Sequence, residues 1–375
     1  MVSCGEPSGD LYAGALTGEL RQRDPSADVF GLGGEHLRRA GGRLVGDFAG
    51  ISVTGLTEVL RVLPRSYAML QRLIAAARES RPHVFVAIDF PDFNFRLMAA
   101  LHELGIPIVY YISPQLWAWR PGRMKTMKRL VDRVLVIFPF EEELYRREGV
   151  NVSFVGHPLV DLARPSQPRD EFLRAHGLDP AAPTVALLPG SRPNEIHRIL
   201  PDIAAAVPLI VARVPRAQFV VAAAPNLRAE LFARLPPHVI IVTGRADDVL
   251  AASDVVVTAS GTATVQAALH ERPMVVVYRL SQLTYRMGKP FVKVDTYAMA
   301  NLVAGRRIVP ELIQQGFTPE SVAEETVSFL TDSRRYAETR AALRDVRARL
   351  GAPGASGRAA DAILEVASRT GARSA

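Results

Sequence analysis

The sequence predicts an α/β protein of two domains, each built on a parallel sheet and facing the other over a cleft. Apolar runs rich in β-branched residues recur along most of the chain, with helical patterns between them. An irregular stretch with two prolines, residues 162–169, interrupts the alternation. A chain of 375 residues that is 48% hydrophobic can bury two large cores. We therefore expect domains at 1–163 and 164–350, then a C-terminal helical segment, 351–375, whose packing partner the sequence leaves open.

Composition limits the partners and cofactors. The formal net charge of +7 favours anionic partners, but the arginines are scattered without interleaved aromatics, so no nucleic acid is expected. Cys4 is the single cysteine, which excludes an intrachain disulfide and predicts a small buried thiol. The histidines lack paired metal-ligand spacing, so we predict no metal and no cofactor. No secretory signal and no apolar run of about 18 residues is visible, which predicts a cytoplasmic protein that touches a membrane only from that side.

The first elements are a strand, a small-residue turn and a helix. The strand Met1–Cys4 leads into Gly5-Glu6-Pro7-Ser8-Gly9-Asp10, and a helix is predicted over Leu11–Arg23. Nucleotide-binding α/β domains begin in this way, although the turn is not G-x-G-x-x-G and does not indicate a dinucleotide. The strand is short, which predicts further chain upstream. A second strand is predicted at Asp28–Gly34.

A crowded apolar cluster follows on a short helix that we expect Pro64 to end. Arg61 and Arg65 flank it, and its apolar members are Leu56, Val59, Leu60, Val62 and Leu63. These apolar positions are too many for the single buried face of an ordinary surface helix. Such a pattern suits a helix that lies in a membrane interface. Ordinary core packing is the alternative.

The next strand, His83–Ile88, is a continuous apolar run typical of a buried parallel strand. It delivers Asp89 at its carboxyl end, where open α/β sheets bind ligands. A carboxylate at that place is a candidate general base, and a turn or cap residue is the alternative. Asp92 is expected to be a helix N-cap.

Both tryptophans lie in one loop after the strand Ile108–Ile112. Trp117 and Trp119 lie close to Arg120 in the sequence. Two amphipathic rings beside a cation could stack on a sugar or contact lipid. Packing between the domains is the alternative. Two more strands, Arg133–Phe138 and Val152–Val155, complete the first half.

The second half repeats the alternation, with strands at Thr184–Leu188, Gln218–Ala222, Val239–Val242, Asp254–Thr258 and Pro273–Val277. After the first of these, Gly190-Ser191-Arg192 forms a tight turn, and Pro193 opens a helix. A helix start offers unpaired N–H groups and partial positive charge, to which Arg192 adds a two-pronged cation. Such a turn suits a phosphate or diphosphate, and a capped turn with an exposed arginine is the alternative.

A second turn, Ser260-Gly261-Thr262, likewise follows a strand and opens a helix with small residues. Two such turns at neighbouring strand ends can hold one diphosphate, and Gln266, one helical turn further on, can reach a ribose. Asn301 precedes Arg306 and Arg307 after an irregular loop, for which a helix cap with surface arginines is the alternative. Residues 319–370 read as helical throughout.

Taken together, these segments resemble the lipid-A-disaccharide synthases, bacterial glycosyltransferases of the GT-B type, in which two Rossmann-like parallel-sheet domains face a cleft. The resemblance covers almost the whole chain. Its markers are residues 5–10, 88–94, 113–120, 187–192, 259–263 and 301–306.

The resemblance implies an inverting transfer from UDP-2,3-diacylglucosamine to the 6-hydroxyl of 2,3-diacylglucosamine 1-phosphate, giving a β-1,6 disaccharide and UDP. Asp89 matches the family's catalytic base. The implied residues that bind substrate or UDP are Glu6, Ser8, Gly9, Gly190, Ser191, Arg192, Ser260, Gly261, Thr262, Gln266 and Asn301. The apolar cluster, with Trp117, Trp119 and Arg120, matches the surface that meets acceptor and membrane. The resemblance thus implies a peripheral protein of the inner membrane in a Gram-negative type of bacterium, and it leaves a homodimer open.

One residue departs from the family pattern. Gln266 stands where the family commonly has a glutamate, and an amide accepts fewer and weaker hydrogen bonds than a carboxylate. Either UDP binds more loosely or another residue compensates. Rival functions are another UDP-amino-sugar enzyme of the same architecture, a transferase or a 2-epimerase, and a non-catalytic lipid-binding protein, which would leave the two phosphate-suited turns unexplained.

Overall fold

The computed structural model describes residues 1–49, 56–114, 116, 122–280 and 296–371, with only the backbone described at 56–62 and 370–371. These residues form two compact units. The first comprises residues 1–158 together with the chain from 351 onward, and the second comprises 159–350. The division falls between Pro158 and Leu159, rather than after residue 163 as expected from the sequence.

The first unit is built on a seven-stranded parallel sheet with the order β3-β2-β1-β4-β5-β6-β7. Its strands are β1 (Val2–Ser3), β2 (Phe30–Gly33), β3 (Arg43–Asp47), β4 (Phe85–Ile88), β5 (Ile108–Tyr111), β6 (Arg133–Val136) and β7 (Val152–Phe154). Strands β4 and β5 are buried along their whole length, as their continuous apolar runs predict. The strand order reverses between β1 and β4, which is where open α/β sheets bind ligands.

Helices connect these strands: α1 (Pro7–Arg23), α2 (Glu35–Arg39), α3 (Leu56–Ser80), α4 (Pro91–Glu103), α5 (Arg123–Leu130) and α6 (Pro139–Arg147). The expected break at Pro64 is wrong, because α3 continues through it as one helix. Proline removes one backbone donor and crowds the preceding turn, but the helix that follows is long and packs against α4 and β3. Cys4 is fully buried, as predicted, and burial raises the pKa of its thiol.

The second unit holds a six-stranded parallel sheet with the order β10-β9-β8-β11-β12-β13. Its strands are β8 (Thr184–Leu188), β9 (Gln218–Ala223), β10 (Ile240–Thr243), β11 (Val255–Ala259), β12 (Met274–Tyr278) and β13 (Glu311–Ile313). The predicted bounds of β8 are confirmed, and the next four strands lie within one residue of their predicted bounds at either end. Edge strands β3 and β13 were not predicted.

The helices of this unit are α7 (Leu159–Leu162), α8 (Arg169–Ala175), α9 (Pro193–Arg213), α10 (Ala246–Ala252), α11 (Thr262–Leu269), α12 (Met299–Ala304), α13 (Pro319–Thr331) and α14 (Ser333–Arg349). Single 3₁₀ turns lie at Ala229–Phe232 and Gln314–Gly316. The core is formed by apolar faces of β8, β9, β11 and β12 with helices α9 and α13.

The last helix, α15 (Ala355–Gly371), belongs to the first unit and packs on α1. Asp361 pairs with Arg23 of α1, and Glu365 lies 2.6 Å from Arg133 of β6. The Arg358 guanidinium donates to the Val155 carbonyl at 2.9 Å. Across the described ranges, no helix is long and apolar enough to cross a membrane.

Candidate active site

In the first unit, two of the sequence motifs meet at the point where the strand order reverses. Strands β1 and β4 are direct neighbours, with Ser3 opposite Ala87, so the turns that follow them lie side by side. A Cβ atom at Gly5 would overlap the ring of Phe90. Glycine is therefore needed at position 5 so that the Asp89–Phe90 segment can close over the first turn.

Asp89 sits in a strained backbone conformation. It is half-buried, and both Asp89 and Phe90 have left-handed φ angles, 45° and 51°. Such angles are costly for residues with side chains and cluster at functional sites. Two buried donors hold the Asp89 carbonyl: Asn94 Nδ2 at 2.8 Å and the Tyr110 hydroxyl at 2.7 Å.

Asn94 links this segment to the first strand. Its side chain is fully buried, and its Oδ1 accepts the Ser3 hydroxyl hydrogen at 2.7 Å. The Asp89 backbone is therefore fixed by contacts with both neighbouring strands, β1 through Asn94 and β5 through Tyr110. The expectation for Asp92 is wrong: the N-cap of α4 is Phe90, and Asp92 lies in the first turn, paired with Arg123.

The turn after β1 contains both structural and accessible residues. Asp10 is buried, and its carboxylate accepts the backbone N–H groups of Gly34, His36 and Leu37 at 2.7, 2.8 and 3.2 Å. It thereby caps the start of α2. Glu6 is the N-cap residue of α1, and Glu6 and Ser8 are half-buried whereas Gly9 is buried. Ser8 and Glu6 thus keep surface that a ligand can reach.

The predicted membrane-facing residues are only partly within the described structure. Leu63 and Tyr67 of α3 are 40% and 65% exposed. The side chains of Leu56, Val59, Leu60 and Val62 lie outside the described structure, as do residues 117, 119 and 120, which are Trp117, Trp119 and Arg120.

In the second unit, the two predicted phosphate-suited turns follow neighbouring strands. Strands β8 and β11 pair directly, with Leu188 opposite Thr258. The turns Gly190-Ser191-Arg192 and Ser260-Gly261-Thr262 therefore leave the same edge of the sheet side by side, where its strand order reverses. The predicted placement of the two turns after neighbouring strands is confirmed, and their binding of a diphosphate stays a prediction.

The first of these turns is closed by a residue that the sequence reading missed. Glu195 folds back from α9, and its Oε2 accepts the amides of Ser191 at 2.9 Å and Arg192 at 3.2 Å. Its other oxygen, Oε1, lies 2.9 Å from the Arg192 guanidinium. The expectation that these amides stand unpaired is therefore wrong in this structure, because a carboxylate of the chain itself occupies the anion-binding turn.

Gly190 makes that arrangement possible. Its φ is 128°, a conformation that side chains rarely adopt, and a Cβ there would lie 2.6 Å from Glu195 Cβ. Tyr278 interacts electrostatically with Glu195 and Arg192 of this turn. Burial raises the pKa of Tyr278, and Glu195 adds to the rise while Arg192 and Arg198 oppose it.

The second turn keeps its backbone exposed. Gly261, the N-cap of α11, has φ 145°, and Gly261 and Thr262 are exposed. The amides at the first two positions of a helix have no acceptor within the helix, so those of Thr262 and Ala263 point outward. The Ser260 hydroxyl instead donates to the Tyr297 carbonyl at 3.1 Å.

Asn301 does not stand free to contact a ligand. Its side chain is 1% exposed. Its Nδ2 donates to Val309 O at 2.9 Å and Glu311 Oε1 at 2.7 Å, while its Oδ1 accepts from the amides of Ile308 and Val309. All four hydrogen bonds that an asparagine side chain can form are used internally. Its buried position therefore argues against the direct nucleotide contact that the resemblance implied, and indicates a residue that fixes the segment after α12.

Gln266 lies on α11 one turn beyond Thr262, and its amide nitrogen donates to Asp247, 3.3 Å away. The sequence pattern gave no sign of this partner, because Asp247 lies on another helix. Glu195 could have been noticed, since an acidic residue three positions after a helix N-cap is a recognised capping pattern. Within the described ranges, no three His, Cys, Asp or Glu side chains come together as a metal site.

Comparisons with known proteins show the family of the chain. The model of the lipid-A-disaccharide synthetase family matches residues 1–366. The lipid-A-disaccharide synthase of Myxococcus xanthus (strain DK1622) is 45% identical over 370 residues, 98% of this chain and 97% of the relative. That of Anaeromyxobacter dehalogenans (strain 2CP-C) is 46% identical over 371 residues, with the same coverage.

Solved structures show the same fold at low identity. The UDP-GlcNAc 2-epimerase from Neisseria meningitidis bound to UDP-GlcNAc has a TM-score of 0.68 at 13% identity, covering 97% of this chain and 99% of its own. The calicheamicin glycosyltransferase CalG4 has a TM-score of 0.61 at 18% identity, with 98% and 97% covered. The fold is thus the GT-B type, with two Rossmann-like parallel-sheet domains. Since relatives above 40% identity cover 98% of the chain, it belongs to the lipid-A-disaccharide synthase family, glycosyltransferases of lipid A biosynthesis.

Proposed function

We propose that this protein condenses UDP-2,3-diacylglucosamine with 2,3-diacylglucosamine 1-phosphate to form the β-1,6 disaccharide 1-phosphate and UDP. The observation that carries the proposal is the placement of Asp89. It follows β4 where the strand order of the first sheet reverses, in a strained backbone held by Asn94 and Tyr110. Asp89 combines a strained backbone, a feature that clusters at functional sites, with a position at the ligand-binding edge of the sheet.

In the proposed reaction, the 6-hydroxyl oxygen of the acceptor attacks the anomeric carbon of the donor. The bond from that carbon to the diphosphate breaks, and UDP leaves with the electron pair. Asp89 takes the hydroxyl proton, which makes the attacking oxygen more nucleophilic. A single displacement of this kind inverts the anomeric centre, and it needs one base and a stabilised leaving group.

The second unit is proposed to hold that leaving group. The helix starts after Ser191 and Ser260 give backbone amides and partial positive charge, and Arg192 adds a bidentate cation. Gly190, Gly261 and Thr262 contribute backbone rather than side chains. Because Glu195 occupies the first turn in this structure, the proposal includes its displacement: the diphosphate takes over the amides of Ser191 and Arg192.

We assign the acceptor and the membrane contact to the first unit, and the UDP-sugar to the second. Both substrates carry acyl chains that reside in a bilayer, and α3 exposes Leu63 and Tyr67. Exposed apolar and amphipathic side chains on one helix suit contact with a membrane surface. The proposed location is therefore the cytoplasmic face of the inner membrane, with Glu6 and Ser8 near the bound substrates.

The test is to incubate the purified protein with both acylated sugars and to follow UDP and disaccharide by mass spectrometry. The proposal requires one UDP per disaccharide, and formation of product only when both sugars are present. Product from a non-acylated acceptor at the same rate would overturn the substrate assignment. Because the 2-epimerase shares the fold, UDP-GlcNAc alone is the matched control; conversion of it to its C2 epimer would favour that second function instead.

A further inference from the structure

Asp247, Gln266 and His270 form a small polar cluster beside the second phosphate-suited turn. Gln266 Nε2 lies 3.3 and 3.4 Å from the two oxygens of Asp247. His270 Nε2 lies 3.0 Å from Asp247 Oδ1, and the side chains of Asp247 and His270 are 23% and 9% exposed. A half-buried carboxylate therefore faces a neutral amide and an imidazole.

The carboxylate fixes the orientation of the Gln266 amide. An ionised carboxylate only accepts hydrogen bonds, so the amide must turn its nitrogen toward Asp247 and its oxygen away. Within the described part of the chain, no donor is bonded to that oxygen, and Gln266 is only half-buried. Gln266 Oε1 is thus an acceptor that faces away from Asp247 on a half-buried side chain.

The cluster lies at the ligand-binding edge of the sheet. Asp247 is in the first turn of α10, and Gln266 is in the second turn of α11, the helix that starts at Gly261-Thr262. Thr262 and Gln266 are four residues apart and so share one face of α11, about 6 Å apart along its axis. A nucleotide whose diphosphate contacts the start of α11 would place its ribose near this next turn.

We propose that Asp247 is a positioning residue for nucleotide recognition: it holds Gln266 so that the amide oxygen accepts a hydroxyl of the ribose of a uridine nucleotide. The inference rests on the proposed function, since it takes the second unit to bind UDP. The negative charge is supplied by Asp247 from the neighbouring helix, where it polarises the amide instead of touching the ribose.

A charge exchange tests this coupling. Gln266→Glu alone sets two carboxylates against each other at the distance of a hydrogen bond, so we expect UDP affinity to fall about five- to tenfold below that of the wild type. Asp247→Asn combined with Gln266→Glu restores one amide and one carboxylate with their places exchanged. The double variant is expected to recover wild-type UDP affinity or exceed it, because a charged acceptor then faces the ribose.

The second readout separates ribose recognition from folding. Asp247→Asn should lower affinity for UDP about fivefold, as expected for one hydrogen bond that has lost its fixed geometry. It should leave unchanged the affinity for whichever of 2′-deoxy-UDP and 3′-deoxy-UDP lacks the recognised hydroxyl. Glu324→Gln, which removes a charge from an exposed position of α13 in the same unit, is the matched control and should change neither affinity.

Binding is measured by calorimetry on the full chain, and thermal unfolding checks that each variant folds. The inference is overturned if Gln266→Glu alone raises UDP affinity, if the double variant is no better than that single variant, or if Asp247→Asn weakens UDP and both deoxy analogues equally. A wild-type protein that binds no UDP would instead refute the proposed function. The two failures are therefore distinguishable.

Discussion

Replacing Tyr110 by phenylalanine tests whether the strained backbone at Asp89 matters for turnover. Tyr110 is fully buried, so Tyr110→Phe keeps the ring in the core and removes only the hydroxyl that donates to the Asp89 carbonyl at 2.7 Å. Burial, with Asp89 as a further cause, raises the pKa of Tyr110 well above its usual value. The hydroxyl therefore remains a donor throughout the neutral pH range.

The size of the effect follows from the two donors on this carbonyl. Asn94 still satisfies the carbonyl after the change, so the net loss is one neutral hydrogen bond, about 0.5–1.5 kcal/mol. Two left-handed residues store strain on the order of 1–3 kcal/mol each, and this bond helps to maintain it. If about 1 kcal/mol of this loss falls on the catalytic geometry, kcat drops about fivefold, while KM stays nearly constant.

The assay is UDP release at saturating donor and acceptor, beside a thermal unfolding scan. We expect the midpoint of thermal unfolding to fall by only about 2–4 °C, as for a loss of about 1 kcal/mol in the free energy of unfolding of a unit of this size. Tyr111→Phe is the matched control: it removes a hydroxyl from the adjacent, equally buried residue, which points to the opposite face of the sheet. An unchanged kcat in folded Tyr110→Phe, or the same loss in Tyr111→Phe, would refute the reasoning.

Three further outcomes are expected. Gly190→Ala should lower the free energy of unfolding by about 2–3 kcal/mol in a denaturant titration, because its methyl group meets Glu195 at a left-handed φ; unchanged stability would contradict this. Burial lowers the pKa of His157 to about 3, so the folded state favours the neutral ring. Relative to His157→Gln, the wild type should lose stability as pH falls from about 6.5 toward 3, by about 1.4 kcal/mol per pH unit, and parallel stability curves would exclude this cause. Leu63→Glu should weaken co-sedimentation with anionic lipid vesicles, unlike Leu209→Glu at an exposed position of the second unit, and equal loss would remove α3 from the membrane contact.

The central strands were predictable because their signal is local. Strands such as β8 and β11 are buried along their whole length, so they read as continuous apolar runs between turns. Edge strands β3 and β13 are half-exposed, and their mixed composition carries no such signal. Pro64 was misread because proline lowers local helix propensity, whereas the packing of a 25-residue helix outweighs that cost.

The positions of the candidate site were predictable, but its internal contacts were not. The turns after β1, β4, β8 and β11 follow from the rule that parallel sheets bind ligands at their carboxyl edge. The sequence does not show which hydrogen bonds those turns already make. Glu195 accepts the amides of one turn, and the Asn301 side chain makes its hydrogen bonds to the segment that follows α12. The contact between Asp247 and Gln266 depends on how two helices pack, which no local pattern encodes.

The most direct measurement is the single-turnover rate of disaccharide formation by Asp89→Asn, with Asp92→Asn as the matched control three residues away. Asp89 as general base is worth about 10²- to 10⁴-fold in rate, so the first variant should lose that factor while UDP binds as before. Asp92 is largely exposed and pairs with Arg123, so the control should turn over close to the wild-type rate. Near-normal turnover by folded Asp89→Asn protein would contradict the account.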